Sequence, residues 1–525
     1  MTEGLLAELE REAIGQAKEA AATEGYFAAS VDVGVDRSTS PTTVTLHVVP
    51  GAQTHVTSVN LQVSGVTAND PDGEAAIAKL REEWLLPVGA PFRQSEWERA
   101  KARAVAMLAG NGYAAAKLTT SLAEVDPATS TAELRVDIDS GPAFHVGDLD
   151  ITGLSRYPPE LVRNYQTLKR GERYSITELD QFVRRLNGTG YFASVQAAID
   201  TDPAHAADAP IRVGVIEAPP KKLEAGIGYS TDAAFRSNLS YRDVDFASRA
   251  LQMSFDMRVE SKLQNMSLRF VSPPAASGWS TAAFGNIERT DISGLVTQTG
   301  AAGLRMISLD ERNQWQYGAA IFVDEQRPSG AASISSHALY VDVEHAWRRV
   351  DDLAAPTQGY NALLQLGGGI PGASTRSFGR VIGHFAAWWP LDRSWSLYTR
   401  AEAGAVLAAS REGIPSTLLF RTGGDTTVRG YAFESLGVKQ GDAIVPGRYY
   451  AVASLEATRW LNANLGVAAF VDAGNAFDSV SDLRAAVGYG VGARVRTPIG
   501  PLRLDLAYGE QSRQVRLHFS VGVTF

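Results

Sequence analysis

The chain contains no cysteine in 525 residues. That absence excludes disulfide scaffolds, thiolate metal sites and thiol nucleophiles, and it suits an oxidising compartment where a stray thiol is a liability. Apolar runs of 18 or more residues are also missing, which rules out a transmembrane helix but not a transmembrane β-barrel, whose strands alternate. Positive charge is not in excess: the formal net charge is -9, which argues against nucleic acid as the main partner. The eight histidines are dispersed, and no HExxH, no phosphate-binding GxxxxGK[ST] and no nucleophile constellation occurs. Gly367-Gly368-Gly369 has no Lys-Ser/Thr after it and reads as a strand end. The expectation is therefore a protein without catalysis, metal or cofactor. The amino end, Met1 to Glu24, is an alanine-rich amphipathic helix with scattered carboxylates, not a basic start followed by an apolar stretch, so it is no secretory signal.

What is present is repetition. Three times a helical segment ends in Gly-Tyr, at Gly25-Tyr26, Gly112-Tyr113 and Gly190-Tyr191, and each is followed by two strand-like runs. Glycine accepts the left-handed conformation that a helix end needs, and the following aromatic folds back onto the helix. The unit reads β-α-α-β-β. One complete copy is expected over 53–142 and another over 143–221, while 1–52 carries only a second helix and two strands. An upstream strand and helix, preceded by a signal peptide, would complete the first unit; an atypical capping repeat is the other reading.

Beyond Pro219-Pro220 the periodicity changes to two. Leu251, Met253, Phe255, Met257 and Val259 alternate with Gln252, Ser254, Asp256, Arg258 and Glu260. Sixteen such runs follow one another between 223 and 525, and an even number of strands of roughly ten residues is the signature of an outer-membrane barrel rather than a sandwich. If the first strand rises from the periplasm, Trp279, Trp315 and Trp395 open rising strands and Trp347, Trp388, Trp389 and Trp460 close descending ones, which places all seven at one rim as an aromatic girdle. The longest connection, 409–447, falls at the opposite rim. The expected fold is thus α+β periplasmic repeats over 1–221 followed by an all-β, 16-stranded antiparallel transmembrane barrel over 222–525.

The long connection carries Val428-Arg429-Gly430-Tyr431. Run thirteen contains Phe470-Val471-Asp472-Ala473-Gly474-Asn475, run twelve contains Glu456, and the chain ends Ser520-Val521-Gly522-Val523-Thr524-Phe525. Strand parity alone places Asp472 and Glu456 on the polar, lumenal side, opposite Val471 and Leu455. Two lumenal carboxylates need a counter-charge, and an inward-folded loop can supply Arg429, whose guanidinium forks onto carboxylates. Gly430 lets the loop pass closely, and Gly488, Gly490 and Gly492 clear space on the wall.

These elements together resemble the BamA/TamA superfamily of outer-membrane insertases and two-partner secretion transporters. Val428 to Tyr431 is similar to the family's loop signature; Phe470, Asp472 and Gly474 are similar to its aromatic-x-Asp-x-Gly element; Ser520, Gly522 and Phe525 are similar to its terminal strand signal. The β-α-α-β-β units resemble its polypeptide-transport-associated (POTRA) domains. The resemblance implies a TamA-like assembly factor in the bacterial outer membrane with its POTRA domains in the periplasm. It would insert β-rich clients such as autotransporters through a lateral seam, without nucleotide hydrolysis. It further implies a TamB-like partner anchored in the inner membrane, unfolded client proteins and outer-membrane lipid as partners. A BamA-type fragment, a two-partner secretion transporter and a passive pore are the alternatives. The seam is expected between the last strand, near Val521, and the short first strand, whose Gly226 and Gly228 offer no side chains for cross-strand packing.

Overall fold

The computed structural model describes residues 3–36, 43–66, 70–230, 234–353, 355–392, 394–497 and 502–521. Thr231, Gly522, Phe525 and the link 498–500 lie outside them. The chain divides into two compact units, 1–218 and 219–525. The division falls a few residues ahead of the expected 221/222 boundary, because Lys221 already pairs with Asp243 and the Val244 amide donates to the Pro220 carbonyl.

The first unit begins with α1 (Glu3–Thr23), β1 (Ser30–Asp36) and β2 (Thr43–Val49), the two strands forming an antiparallel pair. Two further motifs follow: β3 (His55–Ser64), α2 (Pro71–Glu82), α3 (Gln94–Gly110), β4 (Lys117–Asp126), β5 (Thr131–Asp139), and then β6 (Val146–Thr152), α4 (Pro159–Arg163), α5 (Ile176–Gly188), β7 (Phe192–Ile199), β8 (Ala209–Glu217). Both make three-stranded sheets of the same order, β3-β5-β4 and β6-β8-β7, in which the first strand pairs in parallel with the last. Helix periodicity explains the packing. Trp97, Ala100, Ala104 and Leu108 bury one stripe of α3, and Leu179, Phe182 and Leu186 one stripe of α5. The helices stop shortly before their Gly-Tyr pairs. Gly25, Gly112 and Gly190 all take positive φ, and the Tyr113 amide reaches back to the Leu108 carbonyl.

The second unit is one antiparallel sheet of sixteen strands. Eleven precede the long loop: β9 (Lys221–Ser230), β10 (Ala234–Phe246), β11 (Leu251–Glu260), β12 (Leu263–Val271), β13 (Trp279–Ile292), β14 (Leu295–Ser308), β15 (Asn313–Pro328), β16 (Ile334–Val350), β17 (Gly359–Gly369), β18 (Phe378–Pro390) and β19 (Trp395–Leu407). The loop holds a small hairpin, β20 (Val438–Gln440) and β21 (Ala443–Val445). Five strands complete the sheet: β22 (Tyr449–Trp460), β23 (Leu465–Phe477), β24 (Ala486–Val495), β25 (Leu502–Gly509) and β26 (Gln514–Val521). Each strand pairs with its sequence neighbour, and β19 pairs with β22 across the loop.

Alternation sorts the two faces. On β23, Leu465, Val467 and Val471 are exposed outward while Ala468, Phe470 and Asp472 are buried inward. That arrangement is what a wall with hydrocarbon outside and polar groups inside requires. Trp279 and Trp395 open β13 and β19, Trp460 closes β22, and Trp388 and Trp389 lie at the end of β18. Since strand direction alternates, these side chains share one rim.

Candidate functional site

The site is built where the loop between β19 and β22 turns into the sheet. Its apolar residues supply the drive: Ile414, Leu418, Phe420, Val428 and Tyr431 are buried in one cluster with Tyr340, Phe378, Val406, Tyr450 and Val452 of the wall. Polar ties fix its course. The Ser416 amide and hydroxyl both donate to the Asp324 carboxylate of β15 at 2.9 Å, and Arg380 Nε of β18 donates to the Leu418 carbonyl at 3.0 Å. From the loop hairpin, the Ile444 amide donates to the Ser293 carbonyl at the β13–β14 turn. Contacts with elements as far apart as the β13–β14 turn and β25 mean that the sheet curls around the loop.

Arg429 stands at the end of this course with its side chain 7% exposed. Its Nε donates to Asp472 Oδ2 at 2.7 Å and its Nη2 to Asp472 Oδ1 at 2.9 Å, a bidentate fork. The same guanidinium reaches Glu456 Oε2 and Asp505 Oδ2, each 2.9 Å from Nη1, and the Arg429 amide adds a bond to Asp472 at 3.0 Å. Its carbon lies 3.4 Å from the centre of the Phe470 ring, so the aromatic of the strand motif forms a floor beneath the cation. A second cation, Arg494 of β24, bonds Glu456 at 2.6 and 2.7 Å and Asp505 at 2.5 Å. Two arginines and three carboxylates thus join the loop to β22, β23, β24 and β25 in one buried network. Asp472 is wholly buried and also accepts from Ser454 Oγ at 2.6 Å.

The wall is shaped to admit the loop. Gly488 lies so close to the Arg429 carbonyl that a Cβ there would collide with it. Gly490 and Gly492 are filled against Phe470 and against Asp505 with Arg494. Gly430 has φ +90°, and a Cβ on it would lie 2.6 Å from the Gly509 nitrogen. The Tyr431 hydroxyl donates to the Val487 carbonyl at 3.0 Å and meets Gln511 in the β25–β26 turn. On the opposite side Arg400 of β19 donates to the carbonyls of Thr426 and Thr427, clamping the backbone just ahead of the motif.

The structure therefore gathers Val428, Arg429, Gly430, Tyr431, Glu456, Phe470 and Asp472 at one place. Gly474 faces the Val452 side chain and Ala451 carbonyl of β22, beyond Asp472 on the same strand. Gly226 lies on β9 opposite Asn238, Gly228 opposite Arg236, Ser520 on β26 opposite Arg503, and Val521 opposite Leu502, so these are wall and edge positions apart from the loop. Sequence reading had not joined Arg494, Asp505, Arg400 or His518 to the motif. A signal for Arg494 existed, since it continues the parity of Gly488, Gly490 and Gly492; Asp505 likewise lies on the polar face of its run.

Comparison with known proteins accords with this architecture. Residues 219–525 match the Omp85 superfamily domain, and residues 144–215 match the surface antigen variable number repeat, the POTRA domain. The outer membrane protein assembly factor BamA of Nitratidesulfovibrio vulgaris is 24% identical over 413 residues, covering 71% of this chain and 50% of that protein. The chloroplastic outer envelope protein 80 of Arabidopsis thaliana is 33% identical over 115 residues, 20% of this chain and 14% of that protein. The chain thus spans about half the length of the first and a small part of the second. Among solved structures, BamA from Haemophilus ducreyi lacking POTRA domains 1–3 superimposes with a TM-score of 0.59 at 18% identity, covering 89% of this chain and 100% of that one.

Proposed function

The chain belongs to the Omp85 superfamily, an outer-membrane barrel with periplasmic POTRA domains, and from that premise we propose that it inserts or translocates β-rich client proteins through the seam between β9 and β26. The observation that carries this reading is the state of the two terminal strands. Among the described residues, sheet pairing runs from β9 to β26 with no ladder joining the two. β9 has ten residues and ladders with β10, and its Leu223 and Ile227 are 67% and 89% exposed. A strand edge presents unpaired N–H and C=O groups, and in hydrocarbon each such group is expensive. An incoming client strand gains those backbone bonds whatever its side chains, so the reading needs no nucleotide hydrolysis.

The finer assignment is a translocation and assembly module role with autotransporter clients and a TamB-like partner. Its support is the repeat pattern over 1–221, which resembles that of TamA; the loop motif is shared across the superfamily, so general BamA-type insertion is its neighbour. Depletion separates the two, because loss of a module component impairs a subset of clients whereas loss of a general insertase impairs nearly all. A passive pore would instead give high, constant conductance in planar bilayers and no client folding.

The seam itself is tested with paired cysteines at Gly228 and Val521, with neighbouring registers, in a chain that has no native thiol. Client assembly in reconstituted vesicles is expected to fall on oxidation and to recover on reduction. A verified disulfide across the seam with an unchanged assembly rate would refute lateral insertion.

A further inference from the structure

The loop motif touches the wall through each of its polar residues, and one of those contacts reaches the terminal strand. The Gly430 amide donates to Nε2 of His518 at 3.0 Å. His518 lies on β26, directly opposite Asp505 of β25 in the ladder. Asp505, like Glu456, is a carboxylate shared by Arg429 and Arg494, so His518 sits at the end of the buried network and on the edge strand. Parity on β26 gives the reason: Val515, Leu517 and Phe519 are exposed outward, which turns Arg516 and His518 inward. Among the described residues this is the only hydrogen bond between Val428–Tyr431 and β26. The neighbouring contacts of the motif, Ser512 with Gly430 and Gln511 with Tyr431, belong to the β25–β26 turn.

We infer that His518 is a positioning residue that couples the seated loop to the seam strand. With the loop in place, the inner face of β26 is tethered to Gly430. When the loop withdraws, the tether goes with it and, among the described residues, the ladder with β25 is what holds β26. The backbone amide can only donate, so Nε2 must carry the lone pair and Nδ1 the proton. The coupling rests on the seam reading only for its consequence in client insertion. The tether itself is read without any client, so failure of one leaves the other standing.

Hydrogen exchange on the intact protein in detergent or nanodiscs tests it. In His518→Leu, amides of β26 are expected to exchange about tenfold faster, the size of effect that follows from losing one partly buried hydrogen bond. Exchange in β22 and β23 should stay unchanged. His518→Gln, whose side-chain carbonyl can accept from the same amide, should return β26 to within about twofold of wild type. In an Arg429→Ala background, where the loop is already released, adding His518→Leu should give no further acceleration. Unchanged β26 exchange in His518→Leu, equal acceleration of all strands, a Gln variant that behaves as Leu, or full additivity with Arg429→Ala would each overturn the inference. Should the Leu variant fail to insert, nitrogen NMR of the wild-type imidazole decides alone: an unprotonated Nε2 supports the tether and a protonated Nε2 rejects it.

Discussion

At the residue scale, Arg429 touches three carboxylates and an aromatic floor at once. Removing one partner of a buried pair leaves the others uncompensated, at a cost of roughly 3 to 5 kcal/mol. Arg429→Ala should therefore release the loop, raising its protease sensitivity and lowering client assembly. Arg429→Lys should fail to restore either, because an ammonium is a point charge and cannot fork onto Asp472 while also serving Glu456 and Asp505. Variants that match wild type in heat-modified gel mobility and limited proteolysis would show the network to be dispensable. Arg494 gives the design resilience, since it holds Glu456 and Asp505 together from the wall side. The wall by itself sets one arginine, Arg494, among three carboxylates, which suits a loop that brings a second cation.

At the element scale, the loop and β24 are complementary in backbone rather than in side chain. Gly488 faces the Arg429 carbonyl with no room for a methyl group. Overpacking at such a contact costs about 1 to 3 kcal/mol, so Gly488→Val should unseat the loop and phenocopy Arg429→Ala in proteolysis. Gly383 on β18 has open space around it, so Gly383→Ala should be neutral in the same assay. If both substitutions behave alike, the close approach at β24 is not what seats the loop. The same loop leans on Arg400 and Asp324 from the far side, so its position is set by several strands and not by the motif alone.

At the scale of the whole molecule, the periplasmic repeats join end to end through a recurring backbone stitch. The Gly25 carbonyl accepts from the Thr54 amide and the Gly112 carbonyl from the Phe144 amide. The second joint adds a polar clasp: Arg173, from the third repeat, bonds Asp70 of the second at 2.7 Å and lies over the Tyr113 ring, while the Tyr113 hydroxyl donates to Asp70 at 2.6 Å. Asp70 also caps α2 through the Gly73 amide. The Arg173 guanidinium first, then the Tyr113 hydroxyl, hold the Asp70 carboxyl well below the usual carboxylate range. A carboxyl whose value is depressed on folding stabilises above its unfolded pKa, and that stabilisation is lost as the pH falls toward the folded value. Asp70→Asn should thus lower periplasmic stability by about 1.5 to 3 kcal/mol at neutral pH, and the gap to wild type should narrow below about pH 4. Calorimetry across that range checks it, and a gap independent of pH would remove the charge from the explanation.

Local pattern was enough for much of this protein. Period-two alternation set the number of strands and the face of each residue, so Asp472 and Glu456 could be placed in the lumen and Arg429 offered as their counter-charge from residue type alone. Gly-Tyr repetition marked the periplasmic units, because helix termination is decided within a few residues. Partnership between distant strands was another matter. That Asp505 and Arg494 share the carboxylates of Arg429, that His518 faces Gly430, that Arg400 clamps Thr426 and Thr427, and that Arg173 crosses from one repeat to the next were all decided by tertiary structure. Alternation tells which way a side chain points but not at what height along the barrel it sits. Height depends on the stagger accumulated from strand to strand and on the path of a loop held by contacts with the β13–β14 turn, β15, β18 and β24, and neither is encoded in any single segment.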